Sequence, residues 1–271
     1  MARRLAGRLL LGAAIALGIA AAAQAAEGGT PKKDLVLRGD AKCTRCHDAG
    51  DDYPVLAIGQ TRHGTTADGR TPTCTSCHGE SQAHLDNPGG KADRPKPDRA
   101  FGKRSATPIE ARNEACLACH QGGKRIHWDR SPHAAGEVAC STCHKVHTAH
   151  DDVRDKLTQA DVCFTCHKEQ RAQLRRPSRH PILEGKVACS DCHNPHGTTN
   201  PNLLKVRPPF LCQSCHQPSS HHATVPLDGA AAGAPTLNQG VIMARGCVNC
   251  HTNIHGSNNA SDPGTGRGFR R

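Results

Sequence analysis

Ala188-Cys189-Ser190-Asp191-Cys192-His193-Asn194-Pro195-His196-Gly197 is the stretch on which the reading of this chain turns. It holds two cysteines three positions apart, a histidine directly after the second, and another histidine three residues further on. Side chains at i and i+3 share a face of a helical turn, so both thiols project to the same side. Cys-x-x-Cys-His is the attachment signature of a c-type haem. Each thiol can form a thioether to one vinyl group, and the adjacent histidine then lies under the ring as an iron ligand.

Working outward, the same five-residue motif occurs eight times and uses all 16 cysteines. The pairs are Cys43/Cys46, Cys74/Cys77, Cys116/Cys119, Cys140/Cys143, Cys163/Cys166, Cys189/Cys192, Cys212/Cys215 and Cys247/Cys250. Their histidines, the expected proximal ligands, are His47, His78, His120, His144, His167, His193, His216 and His251. Disulfides and zinc knuckles are the competing readings of so many cysteines. Neither calls for a histidine after every pair, and eight such coincidences have a chance on the order of 10⁻⁹. The expectation is eight covalent haems c.

Whether a haem carries electrons or catalyses depends on its sixth ligand. Eleven histidines remain for this role, whereas Met243 is the one methionine left beyond the leader. One recurring pattern places a histidine shortly before a motif, at His63, His133 and His180. Another places one shortly after the proximal ligand, at His84, His147, His196, His221 and His255. These eight match the eight motifs, so bis-histidine coordination is expected throughout and no catalytic residue is assigned. His127, His150 and His222 are surplus; the sequence does not separate His221 from His222 by more than the pattern.

The chain has 271 residues but only six aromatic ones, and its mean hydropathy is −0.59. So little apolar surface does not offset the entropy of ordering long loops. Residues 1–25 read as a signal peptide: Arg3, Arg4 and Arg8 precede the apolar run Leu9–Ala23 and the small-residue site Ala23-Gln24-Ala25. The apolar run is short of the ~20 residues that span a bilayer, so export to a bacterial periplasm is expected rather than a retained anchor. The remaining residues number about 31 per haem, too few to wrap each in a pocket of ordinary size. The haems themselves are then expected to pack together and supply the core.

A repeat runs through the chain: histidine, loop, motif, second histidine, connector, motif. Cys140 to Cys189 and Cys163 to Cys212 are both 49 residues. Each unit carries two motifs, and such units stack because none buries its cofactors alone. The expected fold is a multihaem cytochrome c, mostly coil with short α-helices at the motifs, no significant β-sheet, and an elongated haem-filled array over residues 26–256. Residues 257–271 read as a flexible tail, and Asn87–Pro97 and Asp228–Gly240 as flexible connectors. Thr107-Pro108-Ile109-Glu110 predicts a capping box opening a helix into the Cys116 motif; a second helix is expected over Cys163–Leu174.

Net charge is +11, or +8 once the three leader arginines are removed. Sixteen haem propionates would more than offset this excess, so the basic residues, including Arg171, Arg175, Arg176 and Arg179, point to propionates or solvent. No nucleic-acid partner is expected.

Ala139-Cys140 through His147, Cys189 through Gly197, Leu211-Cys212 through His216, and Cys247 through Ser257 together resemble the MtrA/DmsE-type periplasmic cytochromes. The resemblance covers nearly all of the chain after the leader. It implies an electron carrier inside an outer-membrane β-barrel porin, linking periplasmic carriers to outer-surface cytochromes, metal oxides or ferrous iron. It places the distal ligands on His63, His84, His133, His147, His180, His196, His221 and His255. Family members usually carry ten haems, and this chain has motifs for eight, as if one two-haem unit were missing between Cys212 and Cys247. A free periplasmic shuttle is therefore the alternative, and a multihaem reductase a more distant one. No small-molecule substrate is expected.

Overall fold

The computed structural model describes residues 40–64, 70–87, 93–216, 247–249 and 251–258. The leader, the Asp228–Gly240 connector, His221, His222, Cys250 and the tail beyond residue 258 lie outside the described residues, as does part of the Asn87–Pro97 stretch.

Among the described residues, ten short α-helices alternate with 3-10 turns and irregular chain: α1 Ala41–Thr44, α2 Cys74–His78, α3 Gln82–Asp86, α4 Ile109–Leu117, α5 Pro132–Ala135, α6 Cys140–Cys143, α7 Gln159–Phe164, α8 Lys168–Gln173, α9 Cys189–Cys192 and α10 Phe210–Gln213. Among the described residues there is no strand, only isolated bridges joining Ser178 to Ser257 and His193 to Leu204. No described helix is long and apolar enough to cross a membrane.

The helices are where they are because each attachment motif is one closed turn. The backbone N–H of His144 donates to the Cys140 carbonyl at 2.9 Å, and that of His193 to the Cys189 carbonyl at 3.0 Å. The same bond closes the motifs of His47, His120, His167, His216 and His251. A single i→i−4 bond fixes three residues and would be marginal alone, so local caps help. Thr73 and Ser76 form a reciprocal capping box on α2, Ser131 caps α5 with Pro132 at the first position, and Asp191 accepts from the Ala188 N–H at α9.

Two helix expectations are corrected. The helix before Cys116 forms, but its capping box does not: Pro108 occupies the N-cap, and the Thr107 hydroxyl accepts from the Ala100 N–H at 3.1 Å. That hydroxyl ties off the preceding loop and is not available to the helix. The helix expected over Cys163–Leu174 is split into α7 and α8, with His167 at φ −82°, ψ 67° between them. The motif closes its own turn on the Cys163 carbonyl, which breaks the hydrogen-bond ladder at the ligand.

Apolar packing is sparse. One cluster joins Ala160, Phe164, Leu174 and Ile182, with Val187 and Cys189 against it. It sits where α7, α8 and the chain leading into α9 meet. Trp128 and Ala139 are buried elsewhere. A polypeptide of this length normally builds a far larger core. Instead the motifs surround one continuous cavity of ≈ 4920 Å³.

Candidate haem-binding sites

A ligand pocket ordinarily measures about 300–1,000 Å³, so this cavity is the size of several joined together. Every motif contributes to its lining.

The decisive geometry lies in the histidine rings. Each of seven motif histidines faces one histidine from outside the motifs. The pairs, with centroid separations, are His47–His84 at 6.2 Å, His78–His147 at 6.2 Å, His120–His63 at 5.8 Å and His144–His196 at 5.9 Å. His167–His133 at 6.1 Å, His193–His255 at 6.2 Å and His216–His180 at 6.1 Å complete the series. Aromatic contacts in general scatter over roughly 4.5–7 Å; these seven span only 5.8–6.2 Å. Two metal–imidazole bonds of about 2.0 Å each, with the distance from each nitrogen to its ring centre, give a separation of about 6 Å. The spacing suits one iron between each pair.

Hydrogen bonds at Nδ1 leave Nε2 as the metal-facing atom, the arrangement expected of ligating histidines. On the motif side, Nδ1–H donates from His47 to Asp51 Oδ2, from His78 to the Arg99 carbonyl, from His144 to Asp151 Oδ2 and from His193 to the Asn202 carbonyl, each at 2.8 Å. On the opposite side, His84 donates to the Pro95 carbonyl at 2.7 Å, His147 to that of Val55 at 2.7 Å, His133 to that of Pro195 at 2.8 Å and His180 to that of Ile254 at 3.1 Å. Burial pushes the pKa of His196 down to about 4, aided by the neighbouring His144 and Arg125 charges. Burial also lowers His63, His78, His120 and His255. Neutral imidazoles with Nε2 free are what a ferric or ferrous iron binds.

Glycines let three of these histidines into place. A Cβ on Gly197, which follows His196 at φ +106°, would stand 2.3 Å from the His127 carbonyl oxygen. A Cβ on Gly64 after His63, or on Gly256 after His255, would collide in the same way with the Ile58 and Gln173 carbonyl oxygens. Backbone contact of this kind admits no side chain.

The cysteines fix how sites succeed one another. First-position thiols of consecutive motifs touch: Cys43 with Cys74, Cys116 with Cys140, Cys163 with Cys189, Cys212 with Cys247. The thiol–thiol hydrogen bond pushes Cys116 and Cys163 up and draws Cys140 and Cys189 down. At the alternate joints the thiols are within electrostatic reach of one another, Cys77 of Cys116 and Cys119, Cys143 of Cys166, and Cys192 of Cys215. Consecutive motifs therefore abut in chain order. Buried Asp40 beside Cys43 and Cys74 accepts from the Cys74 N–H at 2.7 Å, so this acidic cluster belongs to the attachment turn.

The donor set fits haem c: paired thiols, facing imidazoles, and guanidinium groups for propionates. The Nε atoms of Arg112 and Arg125, both on the cavity, are buried without a protein partner. Of the expected distal residues, seven enter ring pairs and His221 lies outside the described residues; His127 and His150 pair with no motif ring. His150 instead faces Asp152 and Asp155 at 3.9 and 3.6 Å. Sequence reasoning missed Asp51 and Asp151; an aspartate a few residues past a motif histidine was the available signal. It also missed which histidine faces which.

Known proteins repeat these motifs. A family model described as a doubled CXXCH motif matches residues 180–221, and one described as cytochrome c-type protein NrfB-like matches residues 74–157. The chain is a multihaem c-type cytochrome. Over 149 residues this cytochrome is 36% identical to the multiheme cytochrome MtrA of Shewanella baltica, covering 54% of the chain and 42% of that relative. It is 28% identical over 118 residues to the cytochrome c-type protein NrfB of Haemophilus influenzae, covering 40% of the chain and 52% of the relative. The cytochrome thus spans about half the length of the curated relatives it matches.

Proposed function

We propose that this cytochrome carries eight covalent haems, each held between two histidines, and conducts electrons along them as the periplasmic part of an outer-membrane porin complex. The observation that carries the reading is the set of seven histidine pairs at 5.8–6.2 Å. When bound there, haem supplies a one-electron iron couple. The protein's own part is to fill both axial positions, hold at least one ring of six of the seven pairs through Nδ1, and keep consecutive sites adjacent. With both axial positions taken by side chains, substrate has no open iron to reach, which supports a carrier over a reductase.

His251 is assigned the eighth site, with His221 as its partner by the sequence pattern. Cysteine contacts in chain order support a row running from the Cys43 end to the Cys247 end. By similarity to MtrA, one end would meet periplasmic donors and the other an outer-surface partner. The alternative, a periplasmic shuttle without a porin, draws support from the short overlap with MtrA and the likeness to NrfB.

Mild-detergent purification of the tagged cytochrome from its native outer membranes tests the conduit. Copurification of a β-barrel porin in stoichiometric amount is expected, with intact-mass analysis giving eight haems per chain. Recovery entirely in the periplasmic fraction, with no barrel protein, would leave the shuttle.

A further inference from the structure

The seven ring pairs differ in one respect. Taken in motif order, the angle between ring planes is 6° at His47–His84, 39° at His78–His147, 80° at His120–His63, 15° at His144–His196, 84° at His167–His133, 22° at His193–His255 and 64° at His216–His180. From the third motif to the seventh, crossed and near-parallel pairs alternate without exception.

A second difference is confined to the motif side of each pair, since on the opposite side the crossed pairs' His133 and His180 have carbonyl acceptors whereas the Nδ1 of His196, in a near-parallel pair, has none. At the near-parallel sites the motif histidine has a built Nδ1 acceptor: Asp51 for His47, Asp151 for His144, the Asn202 carbonyl for His193. At the crossed sites the motif histidines, His120, His167 and His216, are exposed, and none has a protein acceptor at Nδ1 among the described residues.

The ring angle acts directly on the iron. An imidazole donates π density into the iron d orbital perpendicular to its ring. Parallel rings load one orbital and split the pair; crossed rings load both alike. Ferric low-spin iron has a single hole, which the raised orbital accommodates, so splitting stabilises the ferric state. Ferrous low-spin iron has both orbitals filled and gains nothing. A carboxylate acceptor at Nδ1 makes the imidazole a stronger donor and again favours ferric iron, and the two such carboxylates, Asp51 and Asp151, both serve near-parallel sites.

We propose that the chain builds two electronic classes of site, alternating from the third motif to the seventh, with crossed sites at higher potential than their near-parallel neighbours. This rests on reading the ring pairs as axial ligands. Each 49-residue repeat then holds one site of each class. At partial reduction, electrons settle on alternate sites, each separated from the next by an oxidised neighbour that lowers their mutual repulsion. The array can hold charge and still pass it on, since each hop from the third site to the seventh joins unlike neighbours.

Redox titration of the purified holoprotein followed by low-temperature EPR tests this directly. Two low-spin ferric populations are expected: one with three resolved g values from the near-parallel sites, one with a single strongly anisotropic low-field feature from the crossed sites. The low-field population should account for at least three irons, the sites of His120, His167 and His216, and should vanish first as the potential falls. A tenfold difference in oxidised-to-reduced ratio between classes corresponds to about 59 mV. His133→Ala should remove one iron from the low-field population, and His196→Ala one from the rhombic population, each reappearing as high-spin iron. A single low-spin population, or two that vanish together or in the opposite order, would overturn the alternation while leaving the ligand pairs standing. Extensive high-spin iron in the unaltered protein would overturn the ligand pairs themselves.

Discussion

Replacing Asp151 with asparagine removes one charge from one site, together with one backbone hydrogen bond that does not depend on the oxidation state of the iron. Asp151 is only 16% exposed; its Oδ2 accepts the His144 Nδ1–H at 2.8 Å, and its Oδ1 accepts the Lys145 N–H at 3.1 Å. Asparagine has the same shape and keeps one acceptor oxygen for His144, while its NH2 replaces the oxygen that accepts the Lys145 N–H, a loss common to both oxidation states. What changes is the strength of that bond: about 1.5–3 kcal/mol to a charged acceptor against about 0.5–1.5 kcal/mol to a neutral one. The ferric site, one unit more positive than the ferrous, loses most of the difference of about 1 kcal/mol. For a one-electron couple this raises the midpoint of the His144 site by about 40 mV. Spectroelectrochemical titration of variant and parent in parallel should show one component of the multi-step curve displaced upward. Asp152→Asn is the control, since it deletes an equal charge one residue away at 58% exposure, where water screens it. No displacement in Asp151→Asn, a downward one, or an equal one in the control would refute the reasoning.

His196→Met should raise the same site much further, because a thioether favours ferrous iron more than imidazole does, whereas His150→Ala should leave the titration unchanged. Gly197→Ala, forced against the His127 carbonyl at 2.3 Å, should pull His196 off its site, and absorbance spectra should show one haem turned wholly or partly high spin. The Asp191 carboxyl is held below its usual range by the Ala188 N–H and then by Lys156. Its stabilising contribution is present above the unfolded carboxyl pKa of about 3.9 and lost as pH falls through the lower folded value. Asp191→Ala should therefore lower Tm at pH 7 and match the parent at about pH 2, read by circular dichroism melts; a pH-independent gap would contradict this.

What the sequence by itself determined is local. Cys189-Ser-Asp-Cys-His193 closes on one bond from the His193 N–H to the Cys189 carbonyl, so five consecutive residues suffice to specify an attachment turn wherever they occur. The same locality made coil with short helices legible. Locality also explains the two failures: Thr107 and His167 each obeyed a nearby loop or turn that a helix pattern does not register. The pairing of histidines was decided only by the tertiary structure. Paired rings lie 34 to 69 residues apart in the chain, from His133–His167 to His78–His147. His78 faces a histidine beyond the fourth motif, and His120 one that precedes the second. Nothing in the intervening spacing distinguishes these partners from nearer ones, such as His84 for His78. They are selected by units threading through one another, with His133 bonded to the Pro195 carbonyl beside His196 and His180 to that of Ile254 beside His255. Ring angle depends in turn on those carbonyls, because a ring fixed at Nδ1 has no freedom left to turn, and at His196, whose buried Nδ1 has no partner, on the close approach of Gly197 to His127.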